Sequence, residues 1–237
     1  LQQKNDNVMA ANFLGSLLHL SDPTLPIGGY SHSNGLETYV QLGLVNNVSS
    51  AEMFVQHMLT NNLQYNDAAF VCLAYRAAAA GDLAALLALD EEASALKMPR
   101  EIRQASQKLG VRLMKIFSRQ QSYVLAQQYE AATVAKKAEG HYSIAYGLYA
   151  CLMGVPLPEA LYAFYYNAAV GMVTNAVKLV PLGQLDGQDV LFRMQPVIQS
   201  LVNTTMTLDR ELVGVCNIGF DIRCMQHEQL YSRLYMS

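Results

Sequence analysis

The residues best suited to chemistry lie near the start of the chain, in Pro26-Ile-Gly-Gly-Tyr-Ser-His-Ser-Asn-Gly35. Ser31 and Ser33 flank His32, which sets two nucleophiles beside a base. A hydrolase elbow needs G-x-S-x-G to expose its serine on a strand-to-helix turn. Ser31 sits instead in G-x-S-x-S and Ser33 in S-x-S-x-G. Serines ahead of a helix more often cap it by accepting backbone N–H groups. Turn formation is therefore the expected role, with serine hydrolysis the minor alternative. The same glycines suggest a phosphate cradle, but a P-loop closes on Gly-Lys-Ser/Thr so that the lysine reaches the phosphates. That tripeptide is missing from the sequence, which excludes a P-loop NTPase.

Metal chemistry has little more to work with. His19, His32, His57, His141 and His227 form no HxH or HExxH pattern. Cys224 and His227 are three apart, close enough to share a metal from one helix face. They make half a site and are weak candidates only. Among the carboxylates, Asp90-Glu91-Glu92 reads as a solvated turn. Asp186 and Asp189 flank Gly187 where a helix should start, a place the helix dipole favours for negative charge. Residue by residue, the chain shows no catalytic centre and points to binding.

The 237 residues carry 52% hydrophobic and 15% charged side chains, against about 25% charged in an ordinary domain. That excludes disorder and suggests a surface partly covered by partners. A net charge of −3 gives no general attraction to nucleic acid or anionic membrane, so neither is expected as a partner. Cys72, Cys151, Cys216 and Cys224 are widely spaced with no CxxC pair, as free thiols in a reducing cytoplasm would be. No basic-then-apolar leader opens the chain.

The elements that must position these residues read as helices. Ala, Leu and Met outnumber Val, Ile and Thr, and branching at Cβ is what costs rotamer freedom in a helical turn. Phe13, Leu14, Leu17 and Leu18 make one stripe, Phe54, Val55, Met58, Leu59 and Leu63 a second, and Ile102, Ala105, Leu109, Leu113 and Ile116 a third. Ser49 and Glu52 fit a capping box. Gly81-Asp82 fits a helix end followed by a new N-cap, and Pro99, Pro158 and Pro181 fit helix starts. The expectation is an all-α, single-domain helical bundle over residues 1–237, with about nine or ten helices.

Two segments remain open. Gly147, Gly154, Ala168, Ala169 and Gly171 place small residues in the most apolar helices, fitting either a tightly packed core or the wall of a groove. Leu230, Tyr231, Leu234 and Tyr235 form an apolar stripe at the chain end, where most proteins fray. It either folds back or meets a partner.

Four blocks in order carry a resemblance. Leu25 to Glu37 resembles the near-N-terminal signature of the urease accessory protein UreF family, L/F-P-I/V-G-x-Y/F-S/T-x-S-x-G-L/I-E. Every fixed position is met, including Pro26, Gly28, Ser33, Gly35 and Glu37. His141 to Leu148, with Gly147 and then Gly154, resembles the family's mid-chain His-x(5)-Gly block. Asn175 to Gln188 resembles its Pro-Leu-Gly-Gln-x-x-Gly-Gln block through Pro181 and Gln184. The ending, Met225 to Ser237, looks most like the Helicobacter-type members.

The resemblance implies an all-α homodimer without enzymatic activity. It also implies partners: UreD (UreH in some bacteria), the GTPase UreG and, through them, apo-urease, into which nickel is inserted as GTP is hydrolysed. Nickel and GTP are then handled by the complex, with no cofactor bound by this chain. Tyr30 matches the signature aromatic near the dimer interface and the UreG-recruiting surface. Arg233 matches the arginine of a tail ordered by UreD/UreH, where a guanidinium can fork as lysine cannot. The first helix (about 1–20, with Phe13, Leu14, Leu17 and Leu18) and the tail (about 225–237, with Leu230, Tyr231, Leu234 and Tyr235) are the expected partner-dependent segments. The family is also described with a nickel passage that small-residue helices can line. The alternative within binding is a direct nickel metallochaperone using Cys224 and His227, although Cys224 is no part of the family pattern.

Overall fold

Helix-forming stretches and their punctuation become eleven α-helices among the described residues, 13–236, of the computed structural model, with Tyr30 described by its backbone alone. In order they are α1 (Leu14–Leu20), α2 (Leu36–Gln41), α3 (Val48–Met58), α4 (Asp67–Ala79), α5 (Leu83–Leu96) and α6 (Arg100–Phe117). Then follow α7 (Val124–Val134), α8 (Tyr142–Leu152), α9 (Leu157–Leu179), α10 (Gln184–Met206) and α11 (Ile218–His227). The all-α expectation holds. The helix number slightly exceeds it because a piece as short as α2 spans too few turns to show a period. No helix among the described residues is long and apolar enough to cross a membrane.

Most of the punctuation works as its chemistry dictates. Gly81 takes φ +67° and Asp82 then caps α5, accepting the Ala85 N–H at 2.9 Å. Pro99 caps α6 and Pro158 sits in the first turn of α9, where a missing N–H costs nothing. Asp186 accepts the Gly183 N–H at 2.9 Å and so closes the start of α10. One cap is corrected. Asn47, not Ser49, caps α3, accepting the Ser50 N–H at 2.9 Å while Ser50 Oγ accepts the Asn47 N–H. An Asn–Ser pair satisfies the same two donors as the expected Ser–Glu pair. Glu52 is freed to ion-pair with Arg193 on α10.

A single hydrophobic core runs from Leu20 to Cys224 with α8 at its centre, where Ser143 through Ala150 are all buried. Helix α4 lies tightly along α8. A Cβ added at Gly147 would stand 2.5 Å from the Val71 carbonyl oxygen, so this glycine is required for the approach of the two backbones. The buried tyrosines keep their phenols satisfied, as buried hydroxyls must. Tyr165 pairs with Thr205 at 2.6 Å, Tyr146 with Ser21 at 2.8 Å and Tyr129 with Asp90 at 2.6 Å.

Asp90 overturns the solvated-turn reading. It lies within α5 and is wholly buried. Its carboxylate accepts the N–H groups of Glu139, Gly140 and His141. These donors precede the first turn of α8, so Asp90 holds the entry to the central helix.

Candidate functional site

The signature loop is shaped by two glycines in the left-handed region, Gly28 at φ +91° and Gly35 at φ +78°. Each is also closely covered. A Cβ at Gly28 would lie 2.1 Å from an Arg112 guanidinium nitrogen, and one at Gly35 would lie 2.9 Å from Cys224 Sγ. Arg112 on α6 donates to the Ile27 carbonyl at 3.0 Å, and Asn175 on α9 donates to the His32 carbonyl at 2.9 Å. The loop is thus clamped from two helices. Ser31 Oγ donates to the Gly28 carbonyl at 2.9 Å, and Ser33 Oγ accepts the Glu37 N–H at 3.5 Å. Both hydroxyls serve the turn. Burial, with Lys108 and Arg112 nearby, pushes the His32 imidazole below its ordinary range. Tyr30 sits in the single turn Gly29–Ser31 at the tip of this loop.

Glu37, the last residue of the signature, is the point where loop and chain end meet. It is buried in α2 and accepts the backbone N–H groups of Leu234 at 2.8 Å and Tyr235 at 3.2 Å. Its Oε2 also lies 3.2 Å from His227 Nε2. The other ring nitrogen of His227 lies 2.7 Å from Glu101 Oε2, and Glu101 Oε1 accepts Arg233 at 2.6 Å. Glu37, His227, Glu101 and Arg233 form one continuous chain of polar contacts. Beyond it, the Met236 N–H donates to the Ser31 carbonyl at 2.8 Å, returning the tail to the signature.

The tail therefore folds back, but not as a stripe. Helix α11 ends at His227, so spacings of three and four no longer place the following residues on one face. Tyr235 is buried and Leu230 half-buried, whereas Tyr231, Leu234 and Met236 are exposed. Ile222 and Met225 on α11 are exposed as well. The N-terminal stripe divides likewise. Phe13 and Leu17 pack on the core while Leu14 and Leu18 face outward. The part of that expected helix before Phe13 lies outside the described residues, as does Ser237.

The two weak metal candidates each meet other groups. Both ring nitrogens of His227 are engaged by carboxylates. Burial, with Asp221 and Glu101 nearby, pushes the Cys224 thiol far up, away from the thiolate that ligates metals. Among the described residues no three His, Cys, Asp or Glu side chains converge as a metal site.

The mid-chain signature residues belong to the core and its corners. His141 is fully buried between Ser94 Oγ at 2.8 Å and Ser106 Oγ at 3.1 Å. Burial pushes its imidazole down to about 4. Gln184 opens α10 and is exposed, and Pro181 is exposed in the turn before it. The small residues take three roles. Gly147 and Ala169 are core, Gly154 is exposed in the turn that ends α8, and Ala168 and Gly171 line a cavity of about 610 Å³ between α9, α6 and the signature loop. The Lys97–Asp67 ion pair, 2.8 Å from Nζ to either carboxylate oxygen, lies on its wall.

Sequence reasoning missed Glu101, Arg112 and Asn175. Glu101 lies in the first turn of α6, and its partners are 126 and 132 positions away. Asn175 lies in the block that runs to Gln188, but no local rule says what a mid-helix asparagine binds.

The family model for UreF matches residues 45–195. The chain is 52% identical over 224 residues to the urease accessory protein UreF of Actinobacillus pleuropneumoniae, covering 94% of this chain and 99% of that one. It is 49% identical to the protein of that name from Haemophilus influenzae strain KW20 / Rd, covering 94% and 95%. With that of Arthrobacter sp. strain FB24 it shares 32% identity, covering 96% and 99%. The signature and the tail lie outside the stretch matched by the family model, yet the pairwise likeness spans nearly the full length. The chain belongs to the UreF family of urease accessory proteins.

Proposed function

We propose that this chain is a non-catalytic scaffold in urease maturation, bridging UreD/UreH and the GTPase UreG for GTP-dependent nickel insertion into apo-urease. Membership of an accessory-protein family supports the role in maturation. The observation that carries the scaffold reading is the bond from the Leu234 N–H to Glu37. It joins the family signature and the chain end into one platform, which presents Tyr231, Leu234 and Met236 outward. Large apolar side chains clustered on an exposed platform are what a protein partner would bury. In this reading that platform, with Leu14 and Leu18, receives UreD/UreH. The loop tip at Tyr30 lies on the homodimer and UreG side. The protein acts in the cytoplasm, with nickel as cargo and GTP bound by UreG.

The test is co-expression with UreD/UreH and tagged UreG, followed by size-exclusion chromatography with light scattering. A stable complex with equal numbers of each chain is expected. Elution of this protein alone, beside partners shown to be folded, would overturn the reading. The metallochaperone alternative is checked by equilibrium dialysis with nickel. Tight stoichiometric binding lost in His227→Ala would promote it over the scaffold.

A further inference from the structure

We infer that the outward side of α6 is a docking surface for an acidic protein segment, one that offers a row of Asp and Glu carboxylates. It stands apart from the scaffold reading. Lys108, Arg112 and Lys115 recur on α6 at spacings of four and three, and Arg119 follows in the turn after the helix. Such spacings set side chains on one face, and all four residues are exposed. From Lys108 to Lys115 the helix rises about 10 Å. Beside them α6 abuts the segment that leaves α7. A Cβ at Gly110 would lie 2.1 Å from the Gly140 carbonyl oxygen, and one at Gly140 would lie 3.0 Å from Val111 Cγ2. Lys136 and Lys137, also exposed, come just before that contact in the chain. Six of the 16 Lys and Arg residues of an acidic protein thus gather around one helix.

These cations lack counter-charges of their own. Elsewhere Lys97 pairs with Asp67, Arg100 with Glu228, Arg193 with Glu52, Arg210 with Glu92 and Arg233 with Glu101. Among the described residues, Lys108, Arg112, Lys115, Arg119, Lys136 and Lys137 have no carboxylate partner. Arg112 gives one bond to the Ile27 carbonyl. Glu139, exposed at the edge of the cluster, pairs with none of them. Their field reaches the neighbouring loop, where burial, with help from Lys108 and Arg112, holds the His32 imidazole below its ordinary range. Like charges on adjacent turns repel, and a facing row of carboxylates relieves that repulsion. Two other anionic occupants fit less well. A net charge of −3 repels a long phosphate backbone. A basic helix lying in a membrane surface carries bulky apolar side chains beside its cations, but from Gln104 to Arg119 the only exposed apolar side chain is Val111.

The test uses the full-length protein and a fluorescein-labelled octaglutamate peptide, with binding read by fluorescence anisotropy. Lys108→Gln, Lys115→Gln and Arg119→Gln are combined in one variant, while Arg112 is kept because it clamps the signature loop. A control carries Gln195→Glu, Gln199→Glu and Asn203→Asp at exposed positions of α10 and so reaches the same net charge. Circular dichroism checks that both are folded. The α6 variant is expected to bind roughly fivefold more weakly or worse, what three exposed ion pairs contribute together, and the control to stay within about twofold of wild type. Wild-type binding is expected to weaken as salt rises to about 0.15 M, where charges beyond about 8 Å are screened. Equal losses in both variants would overturn the assignment, because net charge and not the stripe would then be responsible. So would absence of wild-type binding at low salt. Tighter binding of an eight-nucleotide oligothymidylate, or of phosphatidylserine vesicles, than of the peptide would overturn it as well. Neither UreD/UreH nor UreG enters the measurement, so its failure and that of the scaffold reading are seen separately.

Discussion

Asp90 Oδ1 accepts the backbone N–H of His141 at 2.9 Å across 51 positions of sequence. The contact fixes the entry to the most deeply buried helix with a carboxylate that has no solvent exposure. Asp90→Ala strips the Gly140 and His141 amides and the Tyr129 hydroxyl of their acceptor. A loss of about 3–5 kcal/mol is expected, since each orphaned buried donor costs about 1–3 kcal/mol and relaxation recovers part. Urea unfolding monitored by circular dichroism measures it, and a loss under about 1 kcal/mol would show that the entry is held by other contacts.

The same helix entry gives the protein an acid sensitivity. The unfolded His141 imidazole gains a proton as pH falls through its ordinary value of 6.5, while burial delays the folded one to about 4. Between these values the unfolded state binds more protons, so stability rises with pH. The contribution is complete above 6.5, falls as pH drops toward 4, and levels below, for roughly 3 kcal/mol in all. Paired unfolding series for wild type and His141→Gln isolate it. Parallel curves through this window would refute the assignment.

Two glycines in the apolar helices are expected to respond oppositely to alanine. At Gly147 the new methyl meets the Val71 carbonyl at 2.5 Å and the Ala74 Cβ at 3.0 Å, forcing α4 and α8 apart at a cost of about 2 kcal/mol or more. At Gly171 it meets nothing within 4 Å, and helix propensity adds up to about 1 kcal/mol of stability. Thermal melts of both variants check the sign as well as the size.

Glu37→Ala removes the acceptor for two tail amides and the carboxylate beside His227 Nε2. The expected outcome is a folded protein destabilised by about 2–4 kcal/mol, with tail residues open to protease and no co-elution with UreD/UreH. Tail protection matching the wild type, read by limited proteolysis, would contradict it.

Tyr231→Ser combined with Leu234→Ser changes exposed side chains only and is expected to leave stability within about 0.5 kcal/mol. Partner capture should nevertheless weaken at least tenfold, because the lost apolar area belongs to the contact and not to the fold. Pull-down with UreD/UreH titrated against both forms gives the comparison.

Where sequence and structure agree, the signal is local. The stripe through Phe54, Val55, Met58 and Leu59 is buried as its period requires, and Gly81-Asp82 ends one helix and begins the next. What stayed hidden is long-range. Asp90 looks like its neighbours Glu91 and Glu92, and only the return of the chain at Gly140 distinguishes it. Cys224 and His227 suggested a shared ligand by spacing, but their surroundings come from α2 and α6. The tail stripe failed for another reason. Periodicity presumes a helix, and the helix stops at His227.

Because the tail is mounted on Glu37 through main-chain N–H groups, attachment makes no demand on the Leu234 side chain. Any residue but proline offers the same donor. The outward side of the tail is thus free to drift in shape and chemistry while its mooring stays fixed. A pair of interacting lineages can re-match their surfaces one side chain at a time without either losing the mount.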